Sequence, residues 1–184
     1  WGAYKFDRSN DFVNISTTTS FQFVQNTMNF TLMAWMKLED NTLVAQQAIV
    51  ANTGTTTQKG FYFAYVNDGA GRDNELRMLV TNSVSGVPVI DTTSGDNTLT
   101  DNNWHHVAAV GNGTNVIFYI DGTEYIGAGN TGTLSTGAST WPLSIGRYPH
   151  ATPGSFFGGV IDEVMVFNRT LSATQVGAFY RNRT

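Results

Sequence analysis

The sequence predicts an all-β fold, a sandwich or barrel of antiparallel strands with one helix near its end. Residues 29–39 alternate between two faces over eleven positions, as a strand does. Further short strands, separated by turn residues, recur about every ten positions. The 25 Thr, 17 Asn and 19 Gly favour strands and turns over helices. The length of 184 residues suits one domain, so we expect a single domain over residues 1–184.

The segment 29–39 predicts which strand face meets the core. Its apolar face consists of Phe30, Leu32, Ala34, Met36 and Leu38. The opposite face is polar at its ends and carries Met33 and Trp35 at its centre. Further strands are predicted at 48–51, 61–66, 76–81, 87–90, 105–110, 116–120 and 160–167.

Two turns and one helix have clear local signals. Asp-Gly at 121–122 supplies the two positive-φ residues of a type I′ hairpin turn. Residues 112–114, Asn-Gly-Thr, predict a second hairpin just before it, so that three consecutive strands form a meander. Ser172 is an N-cap and Gln175 completes a capping box, which predicts a short C-terminal helix.

Composition excludes several classes of function. The net charge is −4, and three Lys and seven Arg are scattered, so we expect no nucleic-acid partner and no anionic membrane surface. No apolar run approaches the ~18 residues of a spanning helix, so no membrane insertion is expected. The absence of Cys excludes disulfides, thiolate catalysis and Cys-ligated zinc. The low Lys content and the Thr/Asn/Gly-rich loops favour an extracellular setting, and a start at Trp1 suggests a processed chain or a module of a longer protein.

Several segments resemble the laminin G-like branch of the concanavalin A-like lectin/glucanase superfamily. They lie in the family's order at 4–7, 11–13, 30–37, 103–108, 118–122, 145–147 and 157–169. The resemblance implies a jelly-roll sandwich of two antiparallel sheets, one of them concave, with a short C-terminal helix. Members of this family include sugar-binding modules, adhesion domains and glycan-cleaving enzymes, so the fold alone does not select an activity.

The acidic residues do not suggest catalysis. A glycosidase needs two carboxyls about 5–9.5 Å apart across one sugar bond. The chain has only four Glu, and the adjacent pair Asp162 and Glu163 points to opposite faces of a strand. No Gly-x-Ser-x-Gly elbow is present. His105 and His106 face opposite ways and cannot share one ion, so packing is expected for them. We therefore expect no enzyme.

Calcium is the expected cofactor, as a structural ion. The resemblance implies that the terminal strands meet, which would bring Asp7 and Asp162 together, with Asp11 assisting. Carboxylates and carbonyls are the ligands that calcium prefers. The alternative is that the Arg8 guanidinium pairs with the carboxylate and replaces the cation.

Exposed rings and planar polar groups indicate where a sugar would bind, since a pyranose stacks on an aromatic face and hydrogen-bonds through its hydroxyls. The candidate carbohydrate-binding residues are Trp35, Tyr62, Arg72, Trp141, Arg147, Tyr148 and His150. The alternative is that the loop aromatics plug the ends of the sandwich.

These observations favour a non-catalytic, lectin-like carbohydrate-binding module, calcium-stabilised and carried by a larger extracellular or surface-displayed protein. Its partner would be a glycan or polysaccharide, including cell-surface or host glycoconjugates. One alternative is a structural or adhesive domain of an adhesin, phage fibre or virion surface protein that binds no sugar. A divergent glycanase is the other.

Overall fold

The computed structural model describes residues 2–15, 19–42, 45–53, 59–69, 71–82, 88–129, 134, 139–149 and 154–182. His150, a candidate sugar-binding residue, lies outside these ranges, as does residue 87 at the start of one predicted strand.

Thirteen strands and two helices are present in the described part of the chain. The strands are β1 (Tyr4–Asp7), β2 (Val13–Ile15), β3 (Asn29–Leu38), β4 (Ala45–Ala51), β5 (Lys59–Asn67), β6 (Glu75–Asn82), β7 (Pro88–Thr93), β8 (Trp104–Asn112), β9 (Val116–Ile120), β10 (Thr123–Ile126), β11 (Ala128–Gly129), β12 (Leu143–Ile145) and β13 (Gly158–Phe167). The helices are α1 (Phe23–Thr27) and α2 (Ala173–Arg181).

The strands form two antiparallel sheets, which confirms the all-β jelly-roll prediction. The six-stranded sheet has the order β1-β13-β3-β8-β9-β10. The seven-stranded sheet has the order β11-β7-β6-β5-β4-β12-β2. The main core lies between them, and β8, β9 and β10 form the predicted meander. None of the described helices has the length and apolar character that a membrane span requires.

Strand β3 has the alternation that its sequence predicts. Its apolar face, from Phe30 to Leu38 at alternate positions, belongs entirely to the main core. On the opposite face Met33 and Trp35 are also buried, because α2 packs across the outside of this sheet. The helix contributes Val176 and Phe179 to a second apolar cluster that includes Met33. The outward-facing positions at the centre of β3 are therefore covered, whereas Lys37 near its end is exposed.

Local turn and cap chemistry also follows the sequence. Asp121 and Gly122 have φ angles of 52° and 79°, as a type I′ turn requires. Ser172 and Gln175 form the expected capping box at the start of α2. Helix α1 was not predicted, because Gln22 at its N-cap makes no side-chain capping hydrogen bond and leaves no cap signal.

Candidate functional site

One row of side chains crosses the outer face of the seven-stranded sheet. Cross-strand register aligns Asn14, Ser144, Ala51, Tyr62, Leu79 and Asp91 on five adjacent strand pairs. Tyr62 stands at the middle of this row, and its chain neighbours Phe61 and Phe63 point into the main core. Strand alternation thus directs one aromatic ring of β5 outward between two that stabilise the sandwich.

The connection from β12 to β13 folds back over this row and forms a cleft. The Tyr148 N–H donates to the Gly154 carbonyl at 3.0 Å, and the Ala48 N–H donates to the Ser155 carbonyl at 2.8 Å. The rings of Tyr62 and Tyr148 meet edge to face, with centroids 5.2 Å apart at 81°. The space beside them, about 170 Å³, is named here the tyrosine cleft; it is lined by Gln46, Tyr62, Arg77, Leu79, Tyr148 and Ser155.

Arg77 is the fixed cation of the tyrosine cleft. Its Nε and Nη2 donate to the two carboxylate oxygens of Asp91 at 2.6 and 2.7 Å, and its Nη1 donates to Gln46 Oε1 at 3.2 Å. Burial acts to lower the pKa of Arg77, but the Asp91 carboxylate more than offsets this and the pKa is raised. A planar guanidinium held on two sides presents its remaining N–H donors in a constant direction.

The two phenols of the cleft remain neutral at physiological pH. Burial raises the pKa of Tyr62 well above its usual range, although Ser155 lowers it somewhat, and burial also raises the pKa of Tyr148. The Tyr62 side chain is 3% exposed, and Ser155 is the described hydroxyl group that acts on its phenol. A buried hydroxyl of this kind is available to a ligand that can reach it.

Glu75 lies on the same outward face of β6 as Arg77, two residues earlier. It is 1% exposed, and burial raises the pKa of its carboxyl to about 7. Asp96 acts in the same direction, whereas Thr93 and Arg72 lower the pKa. The carboxyl is therefore close to half-protonated at neutral pH, beside the cleft rather than in its lining.

A family model matches residues 7–177, most of the chain, and its description is the concanavalin A-like lectin/glucanase superfamily, laminin G type. The chain belongs to this superfamily. No curated protein sequence gives a significant match.

Solved structures with this superfamily fold are similar over nearly the whole chain. The CBM40 module of a Ruminococcus gnavus sialidase, bound to α2,3-sialyllactose, has a TM-score of 0.68 and 15% identity, with 97% of each chain covered. The binding domain of botulinum neurotoxin DC with rat synaptotagmin II gives 0.71 and 12%, covering 99% of this chain and 43% of that one. A Trypanosoma rangeli sialidase with sialic acid gives 0.61 and 16%, covering 98% of this chain and 27% of that one. At these identities the likeness establishes the fold.

Three of the predicted sugar-binding residues lie in or beside the tyrosine cleft. Tyr62 and Tyr148 form it. Arg72 lies in the β5–β6 connection, where its Nη2 is 2.5 Å from Asp68 Oδ2, and its charge acts on both Tyr62 and Glu75. Gln46 and Arg77 also line the cleft and were not among the predicted residues. The sequence alternation of β6 could have placed Arg77 on the outward face. Only the pairing of β5 with β6 shows that Arg77 and Tyr62 line the same cleft.

The structure does not bring Trp35 to the cleft. Trp35 belongs to the six-stranded sheet, is 6% exposed, and packs against the ring of Tyr180 with centroids 5.9 Å apart. The His106 ring lies 5.5 Å from Trp35 and 6.2 Å from Tyr180, so the three rings pack against one another. Because α2 covers this part of the sheet, the Trp35 ring contacts protein at the position predicted to bind a sugar.

Arg147 lies on the same connection as Tyr148, and Trp141 lies just before β12, but both make other contacts. The Arg147 guanidinium carbon lies 3.4 Å from the centre of the Phe12 ring, a cation–π contact at the β2 edge. Burial lowers the pKa of Arg147. Trp141 is half-buried, and its backbone N–H donates to Ser139 Oγ at 3.0 Å. Neither residue lines the tyrosine cleft.

The register separates Asp162 from the other two carboxylates of the predicted calcium site. Asp7 lies opposite Gly158, four residues along β13 from Asp162. Asp7 Oδ1 accepts the N–H groups of Ser9 and Asn10, whereas Asp162 Oδ1 accepts the N–H of Glu163. Within the described ranges no group of three or more His, Asp or Glu residues could hold a metal ion.

Asp7 and Asp11 do lie together in one turn, where Asp11 Oδ2 accepts the Asp7 N–H at 3.1 Å. These two carboxylates could contribute to an ion only together with backbone carbonyls and water, and Asp162 does not join them. A calcium ion at the Asp7–Asp11 turn stays a prediction.

Proposed function

We propose that this domain is a non-catalytic carbohydrate-binding module and that the tyrosine cleft holds a terminal sugar of a glycan. The observation that supports this most directly is the pairing of Tyr62 and Tyr148 beside the anchored guanidinium of Arg77. An aromatic surface next to fixed hydrogen-bond donors is the arrangement that a pyranose requires.

Each group of the cleft has a chemical role in this proposal. The half-buried Tyr148 ring packs against the apolar C–H face of the sugar. In the described contacts Arg77 uses three of its five N–H donors, and in this proposal its other N–H groups donate to sugar oxygens. The Tyr62 hydroxyl supplies a further polar group from the floor. A volume of about 170 Å³ is below the ~300–1,000 Å³ of a common ligand pocket, which suits one terminal residue.

The acidic residues support a non-catalytic role. The described lining of the cleft contains no Asp or Glu, and the nearby Asp91 carboxylate is fully engaged by Arg77. The described lining therefore lacks the two carboxyl groups that glycoside hydrolysis requires. The similar CBM40 module, whose structure contains sialyllactose, makes that trisaccharide the first ligand to test.

The setting proposed for the module is a larger extracellular or surface-displayed protein, where it would hold that protein on a cell-surface or host glycoconjugate. The low Lys content and the Thr/Asn/Gly-rich loops support this setting. Affinity at a single shallow site is expected at about micromolar to millimolar, because polar groups must be desolvated on binding.

Binding to a glycan array, followed by calorimetric titration with α2,3-sialyllactose and with each array hit, tests the proposal. Y148A should weaken binding about tenfold, since a stacking ring is lost. The matched control Y4A removes the same ring from an exposed position on the six-stranded sheet, 68% exposed, and should leave affinity unchanged. If the folded wild-type domain binds no glycan of a broad array, sugar binding is rejected and the structural or adhesive alternative is favoured.

A further inference from the structure

A second surface row lies on the outer face of the other sheet. The register aligns Lys5, Val160, Lys37 and Trp104 on the adjacent strands β1, β13, β3 and β8. Lys5 and Lys37 are exposed, and 38% of the Trp104 side chain is accessible. Helix α2 packs farther along this sheet, around Met33 and Val176. The row therefore forms an open surface that ends in an indole ring.

A groove runs along this row. It has a volume of about 410 Å³ and is lined by Lys5, Lys37, Leu38, Glu39, Asn102, Gly159 and Val160. Trp104 borders it as the register partner of Lys37. We call these residues the lysine groove. The half-buried Val160 gives it an apolar floor, while its polar groups lie at the sides.

The charge of this groove differs from that of the chain as a whole. Two of the three Lys residues of a chain with net charge −4 line it. Lys5 Nζ lies 3.9 Å from Glu39 Oε1, but both side chains are more than half exposed, and an ion pair of this kind contributes little. Lys5 and Lys37 are two strand spacings apart, roughly 10 Å at the backbone. Two ammonium groups can thus approach an anion from either side.

We infer that the lysine groove is a second binding site, specific for an anionic saccharide that carries carboxylate or sulfate groups. The Trp104 ring would stack against the sugar, Lys5 and Lys37 would bind its anionic group, and Asn102 would hydrogen-bond its hydroxyls. Neutral sugars lack the group that both ammonium ions recognise. Because the tyrosine cleft lies on the opposite sheet, one domain can engage two glycan chains at once, which multiplies binding to a polyvalent surface.

Titration of the intact domain with three probes tests this inference: tetragalacturonate for carboxylate, dextran sulfate for sulfate, and neutral dextran as the control. At least one anionic probe should bind, and neutral dextran should not. K37Q should weaken binding about threefold, and W104A about tenfold. The matched control K59Q removes the third Lys, which lies on β5 of the other sheet, and should not change affinity.

Thermal unfolding of each variant shows whether it remains folded. If W104A is unstable, K37Q still tests the inference, because it replaces an exposed side chain. Failure of both anionic probes to bind the wild-type domain would overturn the inference. An equal loss in K37Q and K59Q would overturn it too, because binding would then follow net charge alone. Y148A removes a ring of the tyrosine cleft and none of the lysine groove, so it should leave affinity for the anionic probes unchanged. A loss of anionic-probe binding in K37Q but not in Y148A therefore distinguishes the lysine groove from the tyrosine cleft.

Discussion

The His105 imidazole is held by Asp121, whose Oδ2 lies 2.7 Å from its Nδ1. On its other side Nε2 lies 3.0 Å from Asp101 Oδ1. Asp121 also accepts the His106 N–H, so one carboxylate of the type I′ turn joins two residues of β8. The hydrogen bond to Asp121 raises the pKa of His105 above its usual value, and Asp101 contributes in the same direction.

His105 should stabilise the fold more in acid than in base. A raised folded-state pKa means that its stabilisation is complete below about pH 6.5 and is lost as the pH rises through the folded value. H105Q should lower the free energy of unfolding by about 1–3 kcal/mol at pH 5.5 and by less at pH 8.5. Denaturant unfolding at both pH values measures this. An equal loss at the two values would contradict the charged pairing.

His106 should have the opposite effect. Burial lowers its pKa to about 4, and its ring is fully buried between Trp35 and Tyr180. The unfolded chain binds a proton near pH 6.5 and the folded chain does so only near pH 4, so stability falls as the pH falls through this window, by up to about 3 kcal/mol. H106F keeps a ring and cannot ionise. Its unfolding free energy should decline less than the wild-type value between pH 7 and pH 4; an identical decline would show that His106 titrates normally.

Glu75 provides a third pH-dependent contribution. Its carboxyl has a folded pKa of about 7, so the folded state binds more protons than the unfolded state between about pH 4.5 and pH 7. Stability from this group is greatest below pH 4.5 and is lost as the pH rises through 7. E75Q should therefore have a higher free energy of unfolding than the wild type at pH 8, by up to about 3 kcal/mol. The control E39Q changes an exposed carboxyl and should shift stability by less than about 0.5 kcal/mol.

Replacement of Trp35 distinguishes a packing role from a sugar-binding role for this residue. Because it lies under α2, W35A should destabilise the domain by about 3–5 kcal/mol, seen as a lower Tm, through lost packing and the cavity left behind. Glycan affinity of the folded fraction should stay unchanged. A variant with wild-type Tm and lost affinity would instead restore Trp35 to the binding surface that its sequence suggests.

Calcium at the Asp7–Asp11 turn can be tested by melting. If the ion binds there, adding calcium to EDTA-treated protein at about 100 times its Kd raises Tm by about 5–10 °C. D11N removes the charge but keeps an oxygen that can accept the Asp7 N–H, so it should lose the calcium effect and keep the turn. Absence of any shift at millimolar calcium would reject the site.

Local sequence rules predicted much of the fold. The alternation of β3, the Asp121–Gly122 turn and the Ser172 capping box each depend on residues close together in the chain. The binding cleft does not. Arg77 meets Gln46 and Tyr62 only through the register of three strands, and the covering of Trp35 by Tyr180 depends on where α2 packs. Tyr62 and Tyr148 were predictable as outward or loop aromatics, whereas their contact was not.

The first strands divide between the two layers. Strand β1 forms one edge of the six-stranded sheet beside β13, and β2 forms an edge of the seven-stranded sheet beside β12. The five residues between them bridge the two edges. A mechanical load on this segment would therefore strain both layers together, and shear between the sheets would have to break pairings in each.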